Sequence, residues 1–314
     1  MDSSDLTYKK FALLYIVIAV SVVLSATVIL EIGAYLMFSW SNRLPSVRDL
    51  NENYRMYFIK DFIRRKIDLQ KEYVIVIGDS QFFGFRENEE ATFPHLIAKD
   101  NNLNVINLSL QGGGAADMVK VLRQLNGVKI RYIFYNLNIN HFVKWLEASN
   151  IMTEASYLPE SNDKPVMNTY TLGAQLRYFF NITPHYPFHQ KTTTTEEERE
   201  GSKLYTMPKR SFDIVLEKKG PLFELCELIK KTSRQHLIIA SPQFKDNLEY
   251  NGFDLDKIKR NLQWYENAMR EEGMNYINMT FAFERSDFID ETHLNKNGHR
   301  KMAQVLKKYL KVIT

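Results

Sequence analysis

Cysteine is almost missing from this sequence: among 314 residues only Cys226 carries a thiol. An intrachain disulfide is excluded, which fits a reducing compartment or an envelope protein built without disulfides. Excess charge is also small. A formal net charge of +4 over this length, without clustered basic and aromatic residues, leaves no nucleic-acid footprint, so no nucleic-acid partner is expected. His141, His236 and His299 stand at spacings that fit no metal-ligand set, and neither metal nor cofactor is expected. No internal repeat indicates a solenoid or propeller. The remaining composition, 45% hydrophobic and 25% charged, is that of a globular protein able to build one large domain.

What the chain does have is a long apolar run. Phe11 to Leu30 contains neither charge nor proline, and a helix of that length spans about 30 Å, the thickness of a bilayer core. A second apolar piece, Ile32 to Trp40, follows Glu31. The run is too long for a signal-peptide core and no small-residue cleavage pattern follows it. A single N-terminal transmembrane helix is therefore expected, with the lipid bilayer as its partner. Lys9 and Lys10 precede the run, whereas Arg43, Arg48 and Arg55 follow it, so flanking charge does not decide the orientation. Long following domains cross regardless of such charge, which favours an inside amino terminus and an exported domain. The expected organisation is residues 1–40 as tail and anchor, 41–72 as a juxtamembrane helix or linker, and 73–314 as the main domain.

From Tyr73 onward, short β-branched runs alternate with helical patterns. That is the mark of an α/β fold: a three-layer, flavodoxin-like sandwich around a five-stranded parallel sheet. Strands are predicted at Tyr73–Ile77, Asn104–Leu108, Arg131–Leu137, His236–Ala240 and Asn275–Met279. Helices are predicted at Thr92–Asp100, Ala115–Gln124, Pro221–Thr232, Leu255–Glu272 and Gly298–Leu310. Between Glu147 and Gly220 the alternation fails. This stretch holds five of the nine prolines and reads as an insertion over the carboxyl edge of the sheet, either a lid or partner surface or a decoration without function.

Polar residues collect where the predicted strands end, the edge at which open α/β sheets gather their sites. Val74–Ile77 stops at Gly78-Asp79-Ser80, a turn able to lift a serine hydroxyl out of the sheet. The second strand runs into Asn107-Leu108-Ser109-Leu110-Gln111-Gly112-Gly113-Gly114, and the third into Asn136-Leu137-Asn138. The fifth is followed by Asp290-Glu291-Thr292-His293. A serine nucleophile requires a base, which His293 can supply. The base requires a carboxylate to fix its tautomer, a role for Asp290. An oxyanion requires preorganised donors, which Ser80 N–H, Gly112 N–H and the Asn138 amide can provide, with Gly113 as an alternative to Gly112. Asp79 reads as structural, holding the turn.

These blocks, in this order, resemble the SGNH (GDSL-type) hydrolases. Gly78-Asp79-Ser80 matches the nucleophile block, and Thr92-Phe93-Pro94-His95-Leu96-Ile97-Ala98 resembles the helix that follows it. Asn107 to Gly112 matches the glycine block, with Ser109 where the family prefers glycine. Asn136-Leu137-Asn138-Ile139 stands at Gly-x-Asn-Asp and keeps only Asn138; Asp290-x-x-His293 matches the last block. The resemblance covers residues 73–145 and 236–310. It implies an acyl-Ser80 intermediate and a membrane-anchored enzyme of the bacterial envelope, in the inner membrane with its domain outside. The implied substrates are O-acyl, chiefly O-acetyl, groups of envelope polysaccharide, with a multi-span membrane acyltransferase as a partner. Acyl transfer is favoured by the anchor; the alternatives are an O-acyl esterase and a non-catalytic glycan-binding subunit.

Overall fold

The computed structural model describes residues 11–26, 28–29, 59–60, 62–110, 113–138, 144–145, 210–211, 220–250, 254–290 and 292–311. Its central feature is a parallel sheet of β1 (Glu72–Ile77), β2 (Val105–Asn107), β3 (Lys129–Leu137), β6 (Ser233–Ala240) and β7 (Tyr276–Asn278). The strands lie in the order β2-β1-β3-β6-β7. A separate antiparallel pair joins β4 (Lys144–Trp145) to β5 (Arg210–Ser211). β4 lies just before the expected insertion and β5 within it, and most of that insertion lies outside the described residues.

Both faces of the sheet are covered, which is why its strands read as continuous apolar runs. Alternate residues face opposite sides. Tyr73, Ile75 and Ile77 of β1, with Ile130, Ile133, Tyr135 and Leu137 of β3, join one core. Val74, Val76, Tyr132 and Phe134 join the other. The first core is closed by α3 (Ala115–Arg123), α4 (Pro221–Thr232) and two side chains, Tyr265 and Met269, of α6 (Leu255–Glu271). The second is closed by α2 (Phe93–Asn101) and α7 (Lys296–Lys311), together with Phe82 of the one-turn helix α1 (Ser80–Phe83). A short helix α5 (Lys245–Tyr250) lies between β6 and α6 and buries Leu248. Ile59, Phe62 and Ile63 also enter the first core, so the end of the expected juxtamembrane segment packs on the domain; residues 41–58 lie outside the described residues.

The five-stranded parallel sheet with helices on both faces agrees with the sequence reading. Chain order reverses between β1 and β3, whose outward neighbours are β2 on one side and β6 on the other. A crevice at such a switch point is where ligands bind in these sheets. Residues 11–26 are helical with exposed side chains, and among the described residues no helix is long and apolar enough to cross a membrane. The expected span Phe11–Leu30 also contains Thr27 and Leu30, and these, like Glu31 and Ile32–Trp40, lie outside the described residues.

Candidate active site

Ser80 is placed by the sharp end of β1. Gly78 sits at φ +155°, and a Cβ there would lie 2.5 Å from Asn136 Cβ, so a side chain is excluded both by conformation and by space. Asp79 is the N-cap of α1, 2% exposed, with Oδ1 accepting from Gln81 N at 2.9 Å. The same carboxylate accepts from Asn136 Nδ2 and Asn138 Nδ2 at the end of β3. Asn136 Oδ1 in turn accepts from Ser241 Oγ, beyond β6. A single buried carboxylate thus ties three strand ends together beneath Ser80. Its structural role is wider than holding a turn, because it also orients the Asn138 amide. The glycine-rich segment is drawn to the same turn by Leu110 N donating to Gly78 O at 2.8 Å and Asn107 Nδ2 donating to Phe82 O at 2.7 Å. Gly112 itself lies outside the described residues.

The base arrives on a tight loop after β7. Phe288 bridges to Leu294, Ile289 N donates to His293 O at 2.8 Å, and Asn295 N donates to Asp287 O at 2.9 Å. Inside this loop Asp290 Oδ1 accepts from Thr292 N at 2.9 Å and His293 N at 2.8 Å. His293 Nδ1 lies 2.8 Å from Asp290 Oδ2, and His293 Nε2 lies 2.9 Å from Ser80 Oγ. With a carboxylate against Nδ1, that nitrogen carries the proton and Nε2 is left to accept from the serine hydroxyl. Burial opposes ionisation of Asp290, but the hydrogen bond and charge of His293 and the two backbone N–H groups outweigh it and hold the carboxyl down to about 2. The structure therefore brings Ser80, His293 and Asp290 into one hydrogen-bonded line across 213 residues of sequence, with Asn138 buried at the adjacent strand end.

Several neighbours were not singled out from the sequence. Phe85 packs on the imidazole, ring centroids 4.7 Å apart. Arg86 places Nη1 3.4 Å from Asp290 Oδ2 and its guanidinium over the Phe85 ring. Arg86 holds φ at +64°, the left-handed region that a bulky residue occupies only at a conformational cost. Nothing in the spacing of Phe85-Arg86 signals this contact. Gln81 is fully buried and bonds two distant loops; an amide between a turn and two phenylalanines is the one sequence clue to it. Among the described residues no group of three or more His, Cys, Asp or Glu side chains could hold a metal ion.

No protein-family model matches the chain, and no curated protein matches it. Solved structures similar to it include Est24, a carbohydrate acetylesterase from Sinorhizobium meliloti, at 11% identity and TM-score 0.41, covering 78% of this chain and 100% of that one. TesA is similar at 12% identity and TM-score 0.42, covering 77% and 99%. A carbohydrate esterase family 2 enzyme with a carbohydrate-binding domain, from Corynascus thermopiles (Myceliophthora fergusii), is similar at 13% identity and TM-score 0.40, covering 77% and 66%. Likeness at this level carries no argument about activity, which rests on the site's own geometry.

Proposed function

We propose that this protein is a serine carboxylic-ester hydrolase acting through an acyl-Ser80 intermediate on O-acyl, chiefly O-acetyl, groups of cell-envelope polysaccharide. The observation that carries the chemistry is the 2.9 Å approach of His293 Nε2 to Ser80 Oγ, with Asp290 bonded to Nδ1. Ser80 Oγ attacks the ester carbonyl carbon as His293 Nε2 takes its proton, and Asp290 stabilises the imidazolium that forms. The oxyanion is met by Ser80 N–H and the Asn138 amide, with Gly112 as the third expected donor. Collapse breaks the carbon–oxygen bond to the sugar, and His293 returns the proton to the departing alcohol. Water then attacks the acyl-serine with His293 again as base, and the carboxylic acid leaves.

Hydrolysis here takes precedence over the transfer that the sequence favoured. Each group just named is needed to reach and discharge the acyl-enzyme with water, whereas none of the described residues distinguishes a sugar acceptor. Transfer remains the second reading because of one observation: the apolar residues of helix 11–26 are exposed along its length, from Phe11 at 55% to Leu24 at 62%. Such a surface suits a bilayer. An anchor in the bacterial inner membrane, with the domain outside, would hold Ser80 near a multi-span acyltransferase delivering acyl groups.

The deciding assay incubates purified protein with acetylated envelope glycan and measures free acetate against acetyl moved to a second glycan. Acetate release that disappears in Ser80→Ala supports the hydrolase. Movement of acetyl groups without acetate release supports transfer, and neither product from well-folded protein would leave the glycan-binding alternative standing.

A further inference from the structure

Gln81 follows the nucleophile directly, and its side chain is 1% exposed in a one-turn helix that also buries Phe82 and Phe83. An apolar residue would fill this space without desolvating an amide. Gln81 instead directs Nε2 at two backbone carbonyls remote in sequence, Pro242 O at 2.7 Å and Thr292 O. Its Oε1 is buried without a hydrogen-bond partner. The two donors are therefore what this amide contributes, since an apolar side chain would have spared the loss at Oε1.

The two carbonyls belong to different arms of the site. Pro242 follows Ser241, whose hydroxyl is bonded to Asn136 and through it to Asp79. Thr292 lies between Asp290 and His293, and its own N–H donates to Asp290 Oδ1. Gln81 N is fixed on Asp79 Oδ1 at 2.9 Å, so backbone and side chain of one residue connect the nucleophile turn to both arms. A bond to Thr292 O sets where the base-bearing loop stands relative to Ser80. We infer that Gln81 is a positioning residue, a buried amide strut that fixes the separation between Ser80 Oγ and His293 Nε2. This inference rests on the ester-hydrolase reading and deepens it. The rival account is that Gln81 only fills space.

The test uses the full-length chain, p-nitrophenyl acetate hydrolysis and the rate of Ser80 labelling by a fluorophosphonate. Gln81→Met keeps side-chain length and removes both donors. A shift of the base by about 1 Å costs about 100-fold, so kcat and labelling rate should fall together by roughly that factor while KM stays within about twofold. In a His293→Ala background the same substitution should add little, because the strut acts through the base. An unchanged kcat, or a loss that multiplies in full with that of His293→Ala, overturns the inference in favour of space-filling. Should Gln81→Met not fold, Gln81→Asn keeps the amide with one methylene less reach; the same kcat–KM split is expected, and an unaltered kcat overturns the inference. If the unsubstituted chain neither hydrolyses the ester nor labels at Ser80, the hydrolase reading fails and this inference with it. Labelling of Ser80 that is indifferent to Gln81 overturns the inference alone.

Discussion

Asp290 carries its charge against the pull of burial, sustained by His293 and by two N–H groups of its own loop. The fall from an ordinary 3.8 to about 2 corresponds to on the order of 2 kcal/mol of folding stability at neutral pH. Because the folded value is the depressed one, this contribution is present above about pH 4 and is lost as pH falls through about 2. Asp290→Asn should therefore be less stable than the parent by about that amount at pH 6, with the gap closing towards pH 2, as read from denaturant midpoints across the range. A gap independent of pH would mean the carboxylate's charge contributes nothing. Activity follows a different rule at this scale. On the proposed mechanism Ser80, His293 and Asp290 share one step, so Ser80→Ala and His293→Ala should each lose roughly 10⁴-fold or more in kcat, and the double variant little beyond either. These three residues, with Asn138, were legible because the chemistry restricts the residue types and the strand ends restrict the positions. Phe85, Arg86 and Gln81 were not, since their roles depend on contacts made by loops hundreds of residues apart.

At the scale of elements, legibility followed periodicity. The runs Val74–Ile77 and Arg131–Leu137 announce strands buried on both faces, and Met302, Leu306 and Leu310 of α7 lie in the second core as their spacing requires. β6 begins earlier than predicted, at Ser233, because pairing with Ile130 of β3 extends a polar stretch that has no strand signal of its own. α5 was missed because the sequence of Lys245–Tyr250 places one aliphatic residue, Leu248, among polar neighbours, which gives no period to read; Leu248 is buried. α1 was read as a turn: four residues are too few to show a helical pattern, and Asp79 supplies the cap. One junction between elements is sterically defined. A Cβ at Gly298 would lie 2.2 Å from Asp287 O, where α7 meets the loop that carries the base. Gly298→Ala should cost about 1–3 kcal/mol, the range for overpacking, and should lower kcat through the displaced loop. A variant with parental thermal midpoint and rate would show that this junction yields freely.

For the whole molecule, the proposed anchor and the site make separable claims. Phe11 to Leu30 should retain the chain in membranes through alkaline carbonate washing, and removal of residues 1–43 should release it; retention of the shortened form would place the membrane contact elsewhere. Ile59 and Phe62 belong to the domain's own core, so a cut upstream of residue 59 leaves that packing intact. The central claim is that Ser80 forms a covalent acyl-enzyme. Its most direct test is acid-quenched mass spectrometry during turnover of p-nitrophenyl acetate by the full-length chain, with His293 and Asp290 unaltered. The account predicts one added acetyl group, located on the peptide containing Ser80, formed within the first turnover and absent in Ser80→Ala. Ester turnover with no acetyl on Ser80, or an equal yield of adduct in Ser80→Ala, would contradict it.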